Sequence, residues 1–257
     1  MTDISPESAT NMLLSSLEAR ATRRTFLKGA VATGVAITGM EALTHTAGAQ
    51  TTAADTPVQI FSIAATAERL AVTFYTNGMN NATALGLSAD ALETIQAALI
   101  EEQIHELFFE KNGGVALTST FSFPKGAMTF TDLPTFIATQ QQLEGAFDSA
   151  FIAAGYEFSQ MGKPDLCRVA CQIAMVESEH RALGRRIGSL VPADNWTYAP
   201  QLVPTVGAAP AVLTAAGYLS PVAGNTYSYA QVDFSTGALA AVAANIMYQS
   251  GPFVATS

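Results

Sequence analysis

Glu102-Gln103-Ile104-His105 and Glu177-Ser178-Glu179-His180 place a carboxylate three residues before an imidazole, twice in one chain. Glu68 precedes the first pair by 34 residues and Glu144 precedes the second by 33, so Glu followed by Glu-x-x-His occurs as a duplicated unit. Positions i and i+3 of a helix share a face, so each pair aims both side chains at one point. A chain built around this repeat must bring four acids together in its interior.

The surrounding pattern is helical. Thr56-Pro57 offers a cap followed by proline at the first helical position, and an apolar stripe runs from there to Asn77-Gly78. A second helix is predicted from Ser88 to Asn112, a third from Thr131 or Asp132 to about Met161, and a fourth from Pro164 to about Gly188. Gly145 and Gly155 weaken the third, because glycine costs helix stability. Short links join the first helix to the second and the third to the fourth. About twenty residues join the second to the third, with TSTFSF as an extended piece within them. Twenty extended residues reach roughly 60 Å, more than the length of a 25-residue helix. The expected fold class is therefore all-α: a four-helix bundle of two antiparallel hairpins with a long crossover, over residues 50–190.

Glu68 falls within the stripe Phe61, Ala64, Ala65, Ala71, Val72 and Tyr75; Glu102 shares a face with Ile95, Ala98, Leu99, His105, Glu106 and Phe109. Glu177 and His180 follow Ala170, Ile173 and Ala174, while Glu144 has a mixed face with Glu157 as a rival on the same helix. Four carboxylates buried without matching cations would cost several kilocalories per mole per ion, in the range of about 3–5 kcal/mol where a charge is left unpaired. A pair of divalent cations relieves that cost. The expected ligands are Glu68, Glu102, His105, Glu144, Glu177 and His180. Oxygen-rich ligation with two imidazoles and no thiolate favours two iron ions first and manganese second. Glu101, Glu106 and Glu179 are expected at the solvated rim, and Asp148 and Tyr75 as neighbours able to orient ligands. Cys167 and Cys171, one turn apart, suit packing better than a disulfide framework.

The net charge of −9 with 12 basic residues excludes a nucleic-acid footprint. Thr22-Arg23-Arg24-Thr25-Phe26-Leu27-Lys28, an apolar run from Gly29 to about Leu43, and Ala47-Gly48-Ala49 together resemble a twin-arginine export signal covering residues 1–49. That implies export to the periplasm or cell envelope of a protein already folded. Residues 191–257 form a C-terminal extension rich in Ala, Gly, Pro and Thr, with short helices near residues 209–216 and 236–247. Its Tyr218, Tyr227 and Tyr229 are too irregular in spacing for a sugar platform.

Residues 57–190, with QLEGAFDSAF and AMVESEHRALGRR in the third and fourth helices, resemble the ferritin-like superfamily and its exported bacterial members. The resemblance implies Glu102 and Glu177 as bridging carboxylates, Glu68 and Glu144 as terminal ones, and His105 and His180 as terminal imidazoles. It implies a di-metal oxidoreductase that oxidises Fe(II) or reduces oxygen or peroxide. A Cys-x-x-Cys electron centre is missing from the sequence, so an external donor would be needed. Metal binding without turnover and an envelope structural or interaction role are the alternatives, and homo-oligomers are compatible with either.

Overall fold

The computed structural model describes residues 55–247, 249, 251 and 252, so the export signal expected over residues 1–49 lies outside the described residues. Four long helices carry the structure: α1 (Pro57–Asn80), α3 (Ala89–Lys111), α4 (Leu133–Gln160) and α5 (Pro164–Ile187), with the four-residue α2 (Ala82–Leu85) between the first two. The all-α bundle expected from the sequence is what the chain forms. α1 packs chiefly on α3 and α4 on α5, which gives two hairpins laid together around one core. Among the described residues no helix is long and apolar enough to cross a membrane.

Capping explains where each helix starts. The Thr56 hydroxyl accepts the Gln59 amide while the Gln59 side chain accepts the Thr56 amide, a reciprocal box that opens α1. Ser88 and Asp132 cap α3 and α4 by accepting the amides of Ala91 and Thr135, without the reciprocal half. Gly162, at φ +66°, makes the tight turn from α4 to α5 that a residue with a β-carbon would resist.

Two glycine readings need correction. α1 does not stop at Asn77-Gly78 but continues to Asn80, because Gly78 is buried where the Phe136 ring packs against its backbone. α4 is uninterrupted through Gly145 and Gly155, and the missing side chain of Gly145 admits Trp196. Gly78 and Gly145 thus serve close approach between elements.

The extension is sewn to the bundle. Its strand β2 (Tyr227–Ser228) pairs antiparallel with β1 (Thr120–Phe121) in the crossover, in the register Thr120 to Ser228 and Phe121 to Tyr227. Phe123, also in the crossover, meets the rings of Phe74, Phe130, Tyr218 and Tyr227. The Ser149 hydroxyl of α4 accepts the amides of Leu202 and Val203 at 2.8 and 2.7 Å. Two short helices, α6 (Ala209–Ala215) and α7 (Gly237–Ala243), complete the extension, and α7 packs on α3.

Candidate metal centre

Each long helix delivers its acid to the middle of the bundle. Glu68 on α1, Glu102 on α3, Glu144 on α4 and Glu177 on α5 are at most 1% exposed. His180 is buried with them, and the His105 side chain retains 13% of its exposure. Small residues make this convergence feasible: Ala64, Ala65, Ala67 and Ala71 on α1, with Ala170 on α5, let the backbones approach while the acids fill the space between them.

All six expected ligand residues come together, in two overlapping groups. Glu68, Glu102, His105 and Glu177 can offer ligand atoms within 4.8 Å of one another, as can Glu102, Glu144, Glu177 and His180. Glu102 and Glu177 belong to both groups. The other members divide by hairpin, Glu68 and His105 coming from α1 and α3, Glu144 and His180 from α4 and α5. The duplicated sequence unit thus yields one half-site per hairpin and two shared acids at the seam.

Distances around the imidazoles have the scale of an ion's coordination shell. His105 Nδ1 lies 3.8, 3.9 and 3.7 Å from oxygens of Glu68, Glu102 and Glu177. His180 Nδ1 lies 3.0, 3.3 and 3.9 Å from oxygens of Glu102, Glu177 and Glu144. Two donors that each sit about 2.1 Å from one shared cation are themselves roughly 3 to 4 Å apart.

The polar atoms facing this centre lack hydrogen bonds. Both carboxylate oxygens of Glu68, Glu102 and Glu177, Oε2 of Glu144, and Nδ1 of both histidines are buried without such a partner. Orphaned polar atoms at this density are costly unless something else satisfies them. The residues therefore fit a pair of cations.

Protonation shows the strain of holding these acids together. Burial, reinforced by the charge of Glu102, pushes the Glu68 and Glu144 carboxyls well above the usual range. Burial also pushes Glu102 upward, but the facing Glu68 carboxyl and the His105 and His180 imidazoles outweigh it and hold Glu102 below the usual range. For both histidines burial favours the neutral ring; the facing carboxylates overcome it and raise them well above the ordinary imidazole value.

A supporting layer fixes the ligands from behind. His180 Nε2 donates to Glu101 Oε2 at 2.8 Å, leaving Nδ1 aimed at the three acids. Tyr75 donates a short hydrogen bond to Glu144 Oε1. Gln140 then donates to the Tyr75 oxygen at 3.1 Å and to the His180 carbonyl at 2.6 Å, joining α1, α4 and α5. Tyr75 accordingly does hold Glu144, one of the six expected residues. Asp148 is buried, and burial together with the charge of Glu177 pushes it up to about 7.

The rim assignments divide. Glu179 is exposed as expected, but Glu106 is 1% exposed and is corrected to a buried residue. Arg69 donates to it at 2.9 Å and Tyr229 at 2.7 Å, and Gln103 adds a further short hydrogen bond. The extension supplies Tyr229, and nothing local to α3 announces that cover. Glu101 is partly exposed, yet it holds His180; only the packing of α5 against α3 reveals that role. Glu157 loses its rivalry with Glu144 because it accepts the Val206 amide at 3.1 Å and anchors the extension instead. Cys167 is half-buried against the core and Cys171 is exposed; both are free thiols.

No match appears among curated proteins or solved structures. Comparison with protein families matches residues 56–189, just over half of the chain, to the ferritin-like domain. That span covers all four long helices and every residue of the two ligand groups. The chain belongs to the ferritin-like domain family.

Proposed function

We propose that the centre binds two metal ions, iron in the first place and manganese as the alternative, and that the protein uses them to oxidise Fe(II) or reduce oxygen or peroxide. The observation that carries this reading is the set of buried polar atoms of Glu68, Glu102, His105, Glu144, Glu177 and His180 that face one another without hydrogen-bond partners. Bound redox-active ions would supply the electron transfer. The chain's own part is to place and tune them. Glu102 and Glu177, common to both groups, would help to hold both ions; Glu68 with His105 would complete the set for one ion, and Glu144 with His180 the set for the other. Glu101 keeps the ring proton of His180 on Nε2, so that Nδ1 presents its lone pair. Tyr75 holds one oxygen of Glu144 and leaves the other for the centre. Core residues such as Leu99 and Ile173 exclude bulk water from the ligands.

The twin-arginine pattern supports export of the folded protein to the periplasm or envelope, where an external electron donor would serve any repeated turnover. Cell fractionation of the full chain against a variant with Arg23 and Arg24 replaced by Lys tests that placement. For the centre, anaerobic Fe(II) titration should saturate at two ions per chain, and oxygen or peroxide should then oxidise the bound iron faster than buffer does. Two ions bound without such oxidation would leave metal holding as the function. No bound metal would remove the proposal altogether.

A further inference from the structure

A cleft of about 190 Å³ opens beside the candidate centre, between α3 and α5 under the end of the extension. Its walls are largely apolar: Ile104 and Phe108 from α3, Ile173 and Val176 from α5, and Ile246 and Met247 as cover. His105 and Glu101 stand in the same wall. The His105 ring thus faces two ways, with Nδ1 towards Glu68, Glu102 and Glu177 and another part of the ring lining the cleft.

The wall chemistry selects the occupant. An organic anion would meet the Glu101 carboxylate and the net charge of −9. A neutral molecule with an apolar body loses nothing against Phe108 and Ile173 and gains by leaving water. The volume has the right scale, since an apolar cavity of roughly 150 Å³ accepts one benzene ring. Glu101 already accepts from His180 with one oxygen, and its partly exposed carboxylate is an acceptor for a further donor on the ligand.

We infer that this cleft binds a neutral, single-ring organic molecule carrying a hydroxyl or amino donor, seated between Phe108 and Val176 with its donor at Glu101. Binding itself requires no metal. That the bound molecule neighbours the two ions, and so is placed as their organic co-substrate, rests on the two-metal reading.

Phenol, anisole and benzoate are the probes, titrated calorimetrically into the full chain with its metal content measured. Phenol should bind with a Kd of about 1 mM or tighter. Anisole, which lacks the donor, and benzoate, which carries a charge, should each bind at least about fivefold more weakly, a free-energy difference of about 1 kcal/mol. Val176→Phe and Ile104→Phe fill the cleft from opposite walls, and each should reduce phenol affinity at least tenfold. Thermal unfolding and metal stoichiometry identify a filling variant that keeps the native fold. In protein loaded with Mn(II), the phenol ring protons should relax faster than in metal-free protein, and the filling variants should abolish the difference. Absence of phenol binding at 10-fold above about 1 mM, or equal binding by wild type and a folded filling variant, overturns the inference while leaving the metal proposal intact. Phenol binding with the stated selectivity to a chain that takes up no metal supports the cleft and removes the two-metal reading instead.

Discussion

Glu102 and Glu177 occupy the seam between the hairpins, whereas Glu68 and Glu144 each belong to one ligand group. Substitutions should reveal this inequality. Glu102→Gln should abolish binding of both ions, because it removes a shared anion and leaves an amide in its place. Glu68→Gln should weaken the ion beside His105 by about 10- to 100-fold and spare the one beside His180. Metal analysis after equilibrium dialysis should read near zero for the first variant and near one ion per chain for the second. Equal losses would mean that the two groups are not separate sites.

Proton linkage gives a second test at the same scale. Glu68, Glu144 and Asp148 have raised carboxyl pKa values, and both histidines are raised as well. A raised folded-state value means that the folded form retains protons that the unfolded form releases, so stability falls as pH rises through that interval. For Asp148 the interval runs from 3.8 to about 7. Glu102, held low, acts only below the ordinary carboxylate range and leaves the slope above pH 5 unchanged. Metal-free protein should therefore melt at progressively lower temperature from pH 5 to about pH 7, with the sign set by the carboxyls that stay protonated when folded. Added Mn(II) should flatten that slope, because the cations replace the retained protons, and its uptake should release protons to the buffer. A metal-free melting temperature that rises over this range would contradict the retained-proton description.

Among the elements, the seam between α4 and α5 depends on a missing side chain. The Gln140 carboxamide lies where a β-carbon on Gly184 would stand. From there Gln140 reaches the Tyr75 hydroxyl and the His180 carbonyl, so a helix contact and the ligand support share one group. Gly184→Ala should cost about 1–3 kcal/mol through overpacking, despite alanine's better helix propensity. Denaturant unfolding measures the loss. The same variant should weaken the ion beside His180 more than the ion beside His105. Helix number, order and hairpin pairing were readable from apolar period, caps and loop lengths, and the convergence of Glu68, Glu102, His105, Glu144, Glu177 and His180 from the duplicated spacing. Gly78, Gly145 and Gly184 were not readable, because a glycine placed for close approach looks in sequence like one that ends a helix. Glu106 was misjudged, and the hold of Glu101 on His180 was missed, for a related reason. Their partners His180, Arg69 and Tyr229 come from other elements, and helical period reports only the face of one.

For the whole molecule, the extension acts as part of the core. Val203, Val206, Leu213 and Tyr218 are at most 5% exposed, and Phe121 and Phe123 of the crossover are fully buried in the structure that includes them. Fully burying such a side chain stabilises by about 1.5–3 kcal/mol, and a whole domain is stable by only about 5–15 kcal/mol. Ending the chain at residue 190 would remove four of those side chains and the strand partner of Thr120 and Phe121. The truncated protein should lose its cooperative thermal transition, or melt far below the full chain, as circular dichroism would show. A milder variant separates the loss of apolar cover from the loss of one polar anchor. Tyr229→Phe retains the ring over Arg69 but removes the hydroxyl that donates to Glu106. Its cost should be about 1–3 kcal/mol, because Glu106 is buried and its remaining donors are Arg69 and Gln103. Metal stoichiometry should remain at two ions, since Glu106 belongs to neither ligand group. If the truncation instead melts like the full chain, the bundle is self-sufficient and the apolar burial by the extension contributes little to its stability.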